Sequence, residues 1–375
     1  LRTRLVIFIS IVQSILFLAH WFVYWSWSRF FGAPVRSFEV KLVFALLSVS
    51  FVGASLRGWY SFRPWVRIWY VISAAWLGLA SFLFWAAFLA WIIFGVSHLA
   101  GLHWKLQAIA LALLVSAILV AIYGVLNAAW PRVTRISIAL PNLPQQWRGR
   151  KAALVSDLHL GHIRNYRFVR RVVRKLSTLQ ADVVFIAGDL YDGTAANFER
   201  LAEPWKELTQ HTQSGAVVPF GVYYITGNHE EFYSKAEYLP PLLPAGIHVL
   251  NNEKVEIDNL QVVGVHYRDA TDPESYRALL RALKLDRQRA SVLLLHAPVR
   301  LPVSEEEGIS LQLSGHTHGG QFIPWTWVAQ RVWRKFNHGL QSFGKMQVYV
   351  TYGAGTWGPP LRVGTRPEIV LITFA

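Results

Sequence analysis

The chain has 375 residues, 53% of them hydrophobic and 16% charged, with a formal net charge of +15. A mean hydropathy of +0.30 is too high for an ordinary soluble protein, and the length suggests two or three domains. Cysteine is absent, which excludes disulfides and thiolate metal sites.

The apolar excess lies at the front. Residues 1–130 contain nine Lys or Arg and a single acid, Glu39, so the charge divides into +8 here and +7 beyond. Charge of this sign suits nucleic acid or an anionic bilayer, and the hydrophobic segments favour the bilayer. Uncharged stretches cover residues 5–28, 42–56, 68–104 and 106–131, and a spanning helix needs about 20 mostly apolar residues. They predict an α-helical membrane bundle of about four spans over residues 1–131. The second span extends back over residues 38–41, with Glu39 and Lys41 at the interface. The third ends near Phe94, before a turn containing Gly95, His98, Gly101 and His103. A cleaved signal peptide is the rival reading of the first stretch, but that stretch is long, Trp-rich, without a clear small-residue cleavage site, and followed by further spans. Trp21, Trp25, Trp27, Trp59, Trp65, Trp69 and Trp104 gather near the predicted ends, as interfacial anchors do. Arg2, Arg4, Arg57, Arg63, Arg67, Arg132 and Arg135 fall on one side, against Arg29, Arg36, Lys41 and Lys105 on the other. That excess predicts a multi-pass protein of a bacterial-type inner or plasma membrane, with its amino terminus and carboxyl-terminal domain in the cytoplasm.

Residues 132–150 turn polar and carry Pro141, Pro144 and Gly149, which reads as a linker. Beyond it, strand candidates at 152–156, 183–187, 222–226, 262–265, 292–295 and 309–313 alternate with helical patterns over 166–179, 195–210 and 273–283. The alternation predicts an α/β domain over residues 151–375, with central sheets covered by helices.

Chemistry gathers at the strand ends. In Leu154-Val155-Ser156-Asp157-Leu158-His159 an apolar run ends on a carboxylate and an imidazole two residues apart. An extended segment points both to one side, where one metal could take them. The run 183–187 is followed by Gly188-Asp189. The two oxygens of Asp189 can bridge two cations, and Gly188 allows close backbone approach. Asp192 reads as a turn or supporting residue. After 222–226 comes Gly227-Asn228-His229-Glu230: Asn228 offers a neutral carbonyl oxygen, and His229 is directed elsewhere, free to meet a phosphate. His296 ends 292–295. His316 and His318 flank Thr317 within Gly315-His316-Thr317-His318-Gly319-Gly320, a loop that can reach two metals. Any one of these could be a cap, a loop or a core residue; five groups of ligand-type residues at strand ends point to a shared site.

The ordered blocks resemble the calcineurin-like metallophosphoesterase superfamily over about residues 150–375. The ending Gly-His-Thr-His-Gly-Gly-Gln, through Gln321, further resembles a membrane-associated subgroup that includes transmembrane metallophosphoesterases and proteins compared with UDP-diacylglucosamine hydrolases. The resemblance implies a two-sheet β sandwich flanked by helices. It implies a first metal held by Asp157, His159, Asp189 and His318, and a second held by Asp189, Asn228, His296 and His316. It makes His229 the catalytic group that stabilises developing charge or protonates the leaving alkoxide. Two divalent cations are implied, and oxygen and imidazole donors admit Mn, Fe or Zn. His162 and His266 read as surface or supporting residues. Trp325, Trp327, Arg331 and Trp333 lie in an aromatic and basic loop, 322–343, that suits an anionic lipid surface or an acyl substrate, and equally suits packing against the spans or the core.

The expected function is a membrane-anchored two-metal phosphoesterase acting on a phosphodiester or pyrophosphate bond, with a lipid or lipid-linked nucleotide among the candidate substrates. One alternative is a tethered phosphodiesterase or phosphatase for soluble substrates; another is a membrane sensor with a metal-binding regulatory domain. The spans lack acids beyond Glu39, which argues against ion transport. The expected partners are the lipid bilayer and a phosphate ester rather than nucleic acid, for which no binding motif is present.

Overall fold

The computed structural model describes residues 2–212 and 215–375. The side chains of residues 2, 4, 5, 33, 34, 211, 212, 215 and 216 fall outside that description, and with them Arg2 and Arg4 of the charge count. The chain divides into two units, Leu1–Asn127 with Gly358–Leu361, and Ala128–Trp357 with Arg362–Ala375.

Helices α1 (Arg2–Phe31), α2 (Phe38–Gly58), α3 (Pro64–Leu99) and α4 (Leu106–Ala128) carry the apolar stretches, and four spans long and apolar enough to cross a membrane lie in them. Unbroken helix is what such sequences require, because hydrocarbon offers no partner to an open backbone N–H or C=O. Ser37 caps α2 by accepting the Val40 N–H, and Pro64 enters α3 in its first turn, where no N–H is needed. Large apolar side chains, Phe8, Leu46, Ile72 and Leu119 among them, are exposed along all four helices. Polar groups link helices instead: Trp76 Nε1 donates to His20 at 2.8 Å and Trp91 Nε1 to Ser26 at 3.0 Å. The third helix runs to Leu99 rather than ending near Phe94. Gly95 stays helical, and the turn comes at Gly101, whose φ of 62° is the left-handed conformation that ends helices readily.

The stretch expected as a linker contains β1 (Arg132–Ile138), paired in parallel with the last strand of the chain. It then continues through β2 (Lys151–Val155), α5 (Tyr166–Ser177), β3 (Val183–Ala187), α6 (Phe198–Ala202), α7 (Lys206–Thr209), the minimal pair β4 (His211–Thr212) and β5 (Gly215–Ala216), β6 (Val222–Ile225), α8 (Lys235–Tyr238) and β7 (Ile247–Val249). There follow β8 (Glu253–Ile257), β9 (Leu260–Gly264), α9 (Pro273–Ala282), β10 (Ser291–Leu294), α10 (Leu301–Glu306), β11 (Leu311–Ser314), α11 (Trp325–Trp333), β12 (Gly339–Phe343), β13 (Met346–Val350) and β14 (Glu368–Phe374). The single helix expected over 195–210 is divided into α6 and α7 by a tight turn at Glu203–Trp205, where Pro204 lacks the N–H that would continue it. The aromatic segment expected as a loop contains a helix, α11.

Two six-stranded sheets form this unit, in the orders β1-β14-β2-β3-β6-β7 and β12-β13-β11-β10-β9-β8. Val183, Phe185 and Ala187 of β3 share a core with Val292 and Leu294 of β10, between the sheets. Val184 and Ile186 face a second core with Val172 and Trp205, and Leu293 a third with Tyr276 and Leu280. The result is a two-sheet sandwich flanked by helices, and burial on both faces explains why the central strands read as unbroken apolar runs. Strands β2, β3 and β6 are parallel neighbours, as are β9, β10 and β11. Their carboxyl ends open on one place, where α/β sheets commonly build sites.

Candidate metal centre

The loops after these strands are tied together by backbone first. The Asp157 N–H donates to the Gly188 carbonyl at 3.1 Å, the His159 N–H to that of Asp189 at 3.1 Å, and the Gly315 N–H to that of His296 at 2.8 Å. The two sheets join where the His316 N–H meets the Asp157 carboxylate at 3.1 Å. Asp157, His159, Asp189, His316 and His318 all have φ between 48° and 70°. That left-handed backbone costs a residue with a Cβ on the order of 1 kcal/mol. Glycines clear room for it: a Cβ at Gly227 would collide with Asp189, and one at Gly315 with Asp157.

All seven candidate ligands converge, in two groups of donor atoms. In the first, His159 Nε2 lies 3.0 Å from His318 Nε2 and 3.7 Å from Asp189 Oδ2, while His318 Nε2 lies 3.3 Å from Asp157 Oδ1. In the second, His296 Nε2 lies 3.2 Å from Asp189 Oδ2, 3.2 Å from Asn228 Oδ1 and 3.3 Å from His316 Nδ1. His316 Nδ1 is itself 2.8 Å from Asn228 Oδ1. One oxygen, Asp189 Oδ2, belongs to both groups. Its partner Oδ1 accepts the His229 N–H at 2.9 Å, so the carboxylate faces the groups through one atom rather than the two the sequence suggested.

The donor chemistry fits a cation. The Ala187 carbonyl takes the hydrogen of His296 Nδ1 at 2.8 Å, which leaves His296 Nε2 facing Asp189, Asn228 and His316. A proton there serves one of those acceptors; a cation serves all of them. Separations near 3 Å are those of donors sharing an ion with ligand distances of about 2.0–2.2 Å. Burial raises Asp157 and would lower His296, but the carboxylates of Asp189 and Asp157 push His296 up to about 10. Burial, with His296 beside it, drives His316 down to about 4.

His229 stands at the edge of the first group, its ring perpendicular to that of His159 with centroids 4.5 Å apart. Its Nδ1 donates to the Asp192 carbonyl at 2.9 Å, which leaves Nε2 for chemistry. Burial, then the neighbouring His159, lowers its pKa. The Asp192 carboxylate lies 3.4 Å from His159 Nδ1, so one residue steadies both imidazoles. Gln321 accepts the Trp357 N–H at 2.8 Å and donates to its carbonyl at 3.0 Å, holding the Trp357 ring 6.2 Å from His229. Trp333 stands edge-on to His316, with centroids 5.7 Å apart, while Trp325, Trp327 and Arg331 are exposed on α11. His162 and His266 are buried outside the donor groups.

Two residues escaped the sequence reading. Glu230 is buried and accepts backbone N–H groups from the loops after β3 and β6; burial and the Asp189 charge push it up to about 7. Its only sequence signal is its place as the last residue of the Gly-Asn-His-Glu block. Arg362 is fully buried, donates to the Tyr352 carbonyl at 2.6 Å and that of Gly355 at 2.9 Å, and lies 3.1 Å from His318 Nδ1. Burial lowers it to about 10, and no motif marks it.

Residues 150–320 match the family model described as calcineurin-like phosphoesterase. The chain is similar to a metallophosphoesterase of Aquifex aeolicus, 31% identical over 272 residues that cover 69% of this chain and 97% of the other. It is similar to a "transmembrane protein with metallophosphoesterase domain" of Danio rerio, 33% identical over 70% of this chain and 62% of that one. A metallophosphoesterase of Campylobacter jejuni is 30% identical over 68% of this chain and 66% of its own length. The match thus spans slightly under two thirds of the last two relatives.

Proposed function

Since the chain belongs to the calcineurin-like metallophosphoesterase family, we propose that it is a membrane-anchored two-metal phosphoesterase that hydrolyses a phosphodiester or pyrophosphate bond. The observation that carries this reading is the pair of donor groups meeting at Asp189 Oδ2. Asp157, His159, Asp189 and His318 would hold one divalent ion, and Asp189, Asn228, His296 and His316 the other, with Mn, Fe and Zn all compatible. Bound there, such ions polarise phosphoryl oxygens and lower the pKa of a coordinated water.

The chain's own residues orient and transfer the proton. Asp192 fixes the His229 ring through Nδ1, and His229 in its protonated form, with a second hydrogen on Nε2, would pass that proton to the departing oxygen. Glu230 keeps Asp189 in place through its backbone. The exposed Trp325, Trp327, Val328 and Val332 of α11, with Arg331, Arg334 and Lys335 nearby, support a substrate met at an anionic bilayer surface, such as a lipid or lipid-linked nucleotide. The charge count supports a cytoplasmic catalytic domain at an inner or plasma membrane.

The test is elemental analysis of the full chain in detergent, followed by assay on aryl phosphodiesters and extracted lipid phosphates. Two ions per chain and metal-dependent turnover are expected. A fully loaded protein inert towards all these esters would sink the reading.

A further inference from the structure

A cavity of about 300 Å³ opens beside the second donor group, with Tyr267, Leu295, Ala297, Val299, His316 and Trp333 in its wall. Arg300, at its rim, donates to the carbonyls of Ala270 and Thr271, and His316 Nδ1 is turned to Asn228. What remains is apolar and aromatic surface, suited to an apolar group of moderate size.

Its position is informative. His229 stands against the first donor group, at His159, with the Phe232 and Trp357 rings 5.7 Å and 6.2 Å away. The cavity adjoins the second group, at His316. A leaving group protonated by His229 lies by Phe232 and Trp357, and the cavity, at His316, is lined by neither of those rings. A phosphomonoester has one organic substituent, and that one is the leaving group.

We propose that this cavity binds the second, retained organic substituent of the substrate, an apolar or aryl group, so that the site is built for diesters rather than monoesters. The inference rests on the phosphoesterase reading and deepens it. In the reaction water adds to phosphorus and releases a proton, the bond from phosphorus to the leaving oxygen breaks, and that oxygen takes a proton from protonated His229, which is restored by the proton the water releases. The product monoester keeps its substituent in the cavity.

The experiment uses the full chain and three esters with one leaving group: 4-nitrophenyl phosphate, methyl 4-nitrophenyl phosphate and phenyl 4-nitrophenyl phosphate. The phenyl diester should exceed the methyl diester in kcat/KM by tenfold or more, and both diesters should exceed the monoester. Val299→Phe, which fills the cavity, and Trp333→Ala, which removes a wall, should each bring the phenyl-to-methyl ratio below threefold. Diphenylphosphinate, which has no ester bond to cleave, should raise the Tm of the wild-type protein more than dimethylphosphinate does, and that difference should vanish in Val299→Phe. A wild-type protein without phenyl preference, or a preference that survives both substitutions, overturns the cavity assignment while leaving the phosphoesterase reading intact. Turnover of none of the three esters counts against the phosphoesterase reading, and the phosphinate comparison then decides the cavity by itself.

Discussion

Glu230 holds Asp189 by its backbone: Oε2 accepts the Asp189 N–H at 3.1 Å and the Gly227 N–H at 2.7 Å, while Oε1 takes the Tyr191 N–H at 2.9 Å. One buried carboxylate thereby fixes two loops that carry donors. Glu230→Ala strands three buried N–H groups, each worth roughly 1–3 kcal/mol when unpaired. The variant is predicted to melt at lower temperature and to purify with less metal, with Glu230→Gln, which keeps one acceptor oxygen, in between. Full metal content in the alanine variant would show that the clamp is dispensable to the site.

His229→Ala is predicted to lower kcat by about 10²–10⁴ with metal content intact. The loss should be smaller for a 4-nitrophenol leaving group, which departs without a proton, than for an alkyl alcohol. Equal losses on both substrates would assign His229 to charge stabilisation instead of proton delivery.

Chelation is predicted to abolish turnover and lower Tm, because it leaves the buried carboxylates of Asp157 and Asp189 with imidazoles and one backbone N–H each as partners, in place of a cation. Asp189→Ala should lose both ions, being common to the two groups, whereas His316→Ala should lose one. Elemental analysis of the two variants decides the matter; equal stoichiometry in both would refute the shared role of Asp189.

Glu368 gives a pH dependence of stability. Burial would raise its pKa, but hydrogen bonds from His338, Thr134 and the Tyr352 N–H outweigh burial and hold it below the ordinary value of 4.5. Its contribution is therefore complete above pH 4.5 and is lost as pH falls through the depressed folded value. Denaturant unfolding should show a steeper acid loss for the wild-type chain than for Glu368→Gln, and parallel curves would exclude the linkage.

Trp327→Glu puts a carboxylate on the exposed face of α11. The ratio of turnover on a vesicle-borne phosphate ester to that on a water-soluble one is predicted to fall about tenfold. An unchanged ratio would remove α11 from any dealing with lipid.

The donor residues were legible because double burial makes β2, β3 and β10 nearly continuous apolar runs, and the ligands stand where those runs stop. Strand β1 was not legible: its partner β14 lies at the far end of the chain, and Arg132, Thr134 and Arg135 gave it the polarity of a linker. Strand β8 escaped for a related reason, since Glu253, Lys254 and Glu256 mark an edge strand. Glu230 and Arg362 were missed because both act on backbone groups, whose positions only the fold supplies.

The left-handed turns at Asp157, His159, Asp189, His316 and His318 are held by strand ends and by hydrogen bonds from one loop to the next. Each of those hydrogen bonds runs from one donor-bearing loop to another, so the loops hold or slip together: a change that frees one strand end displaces donors in its neighbours as well.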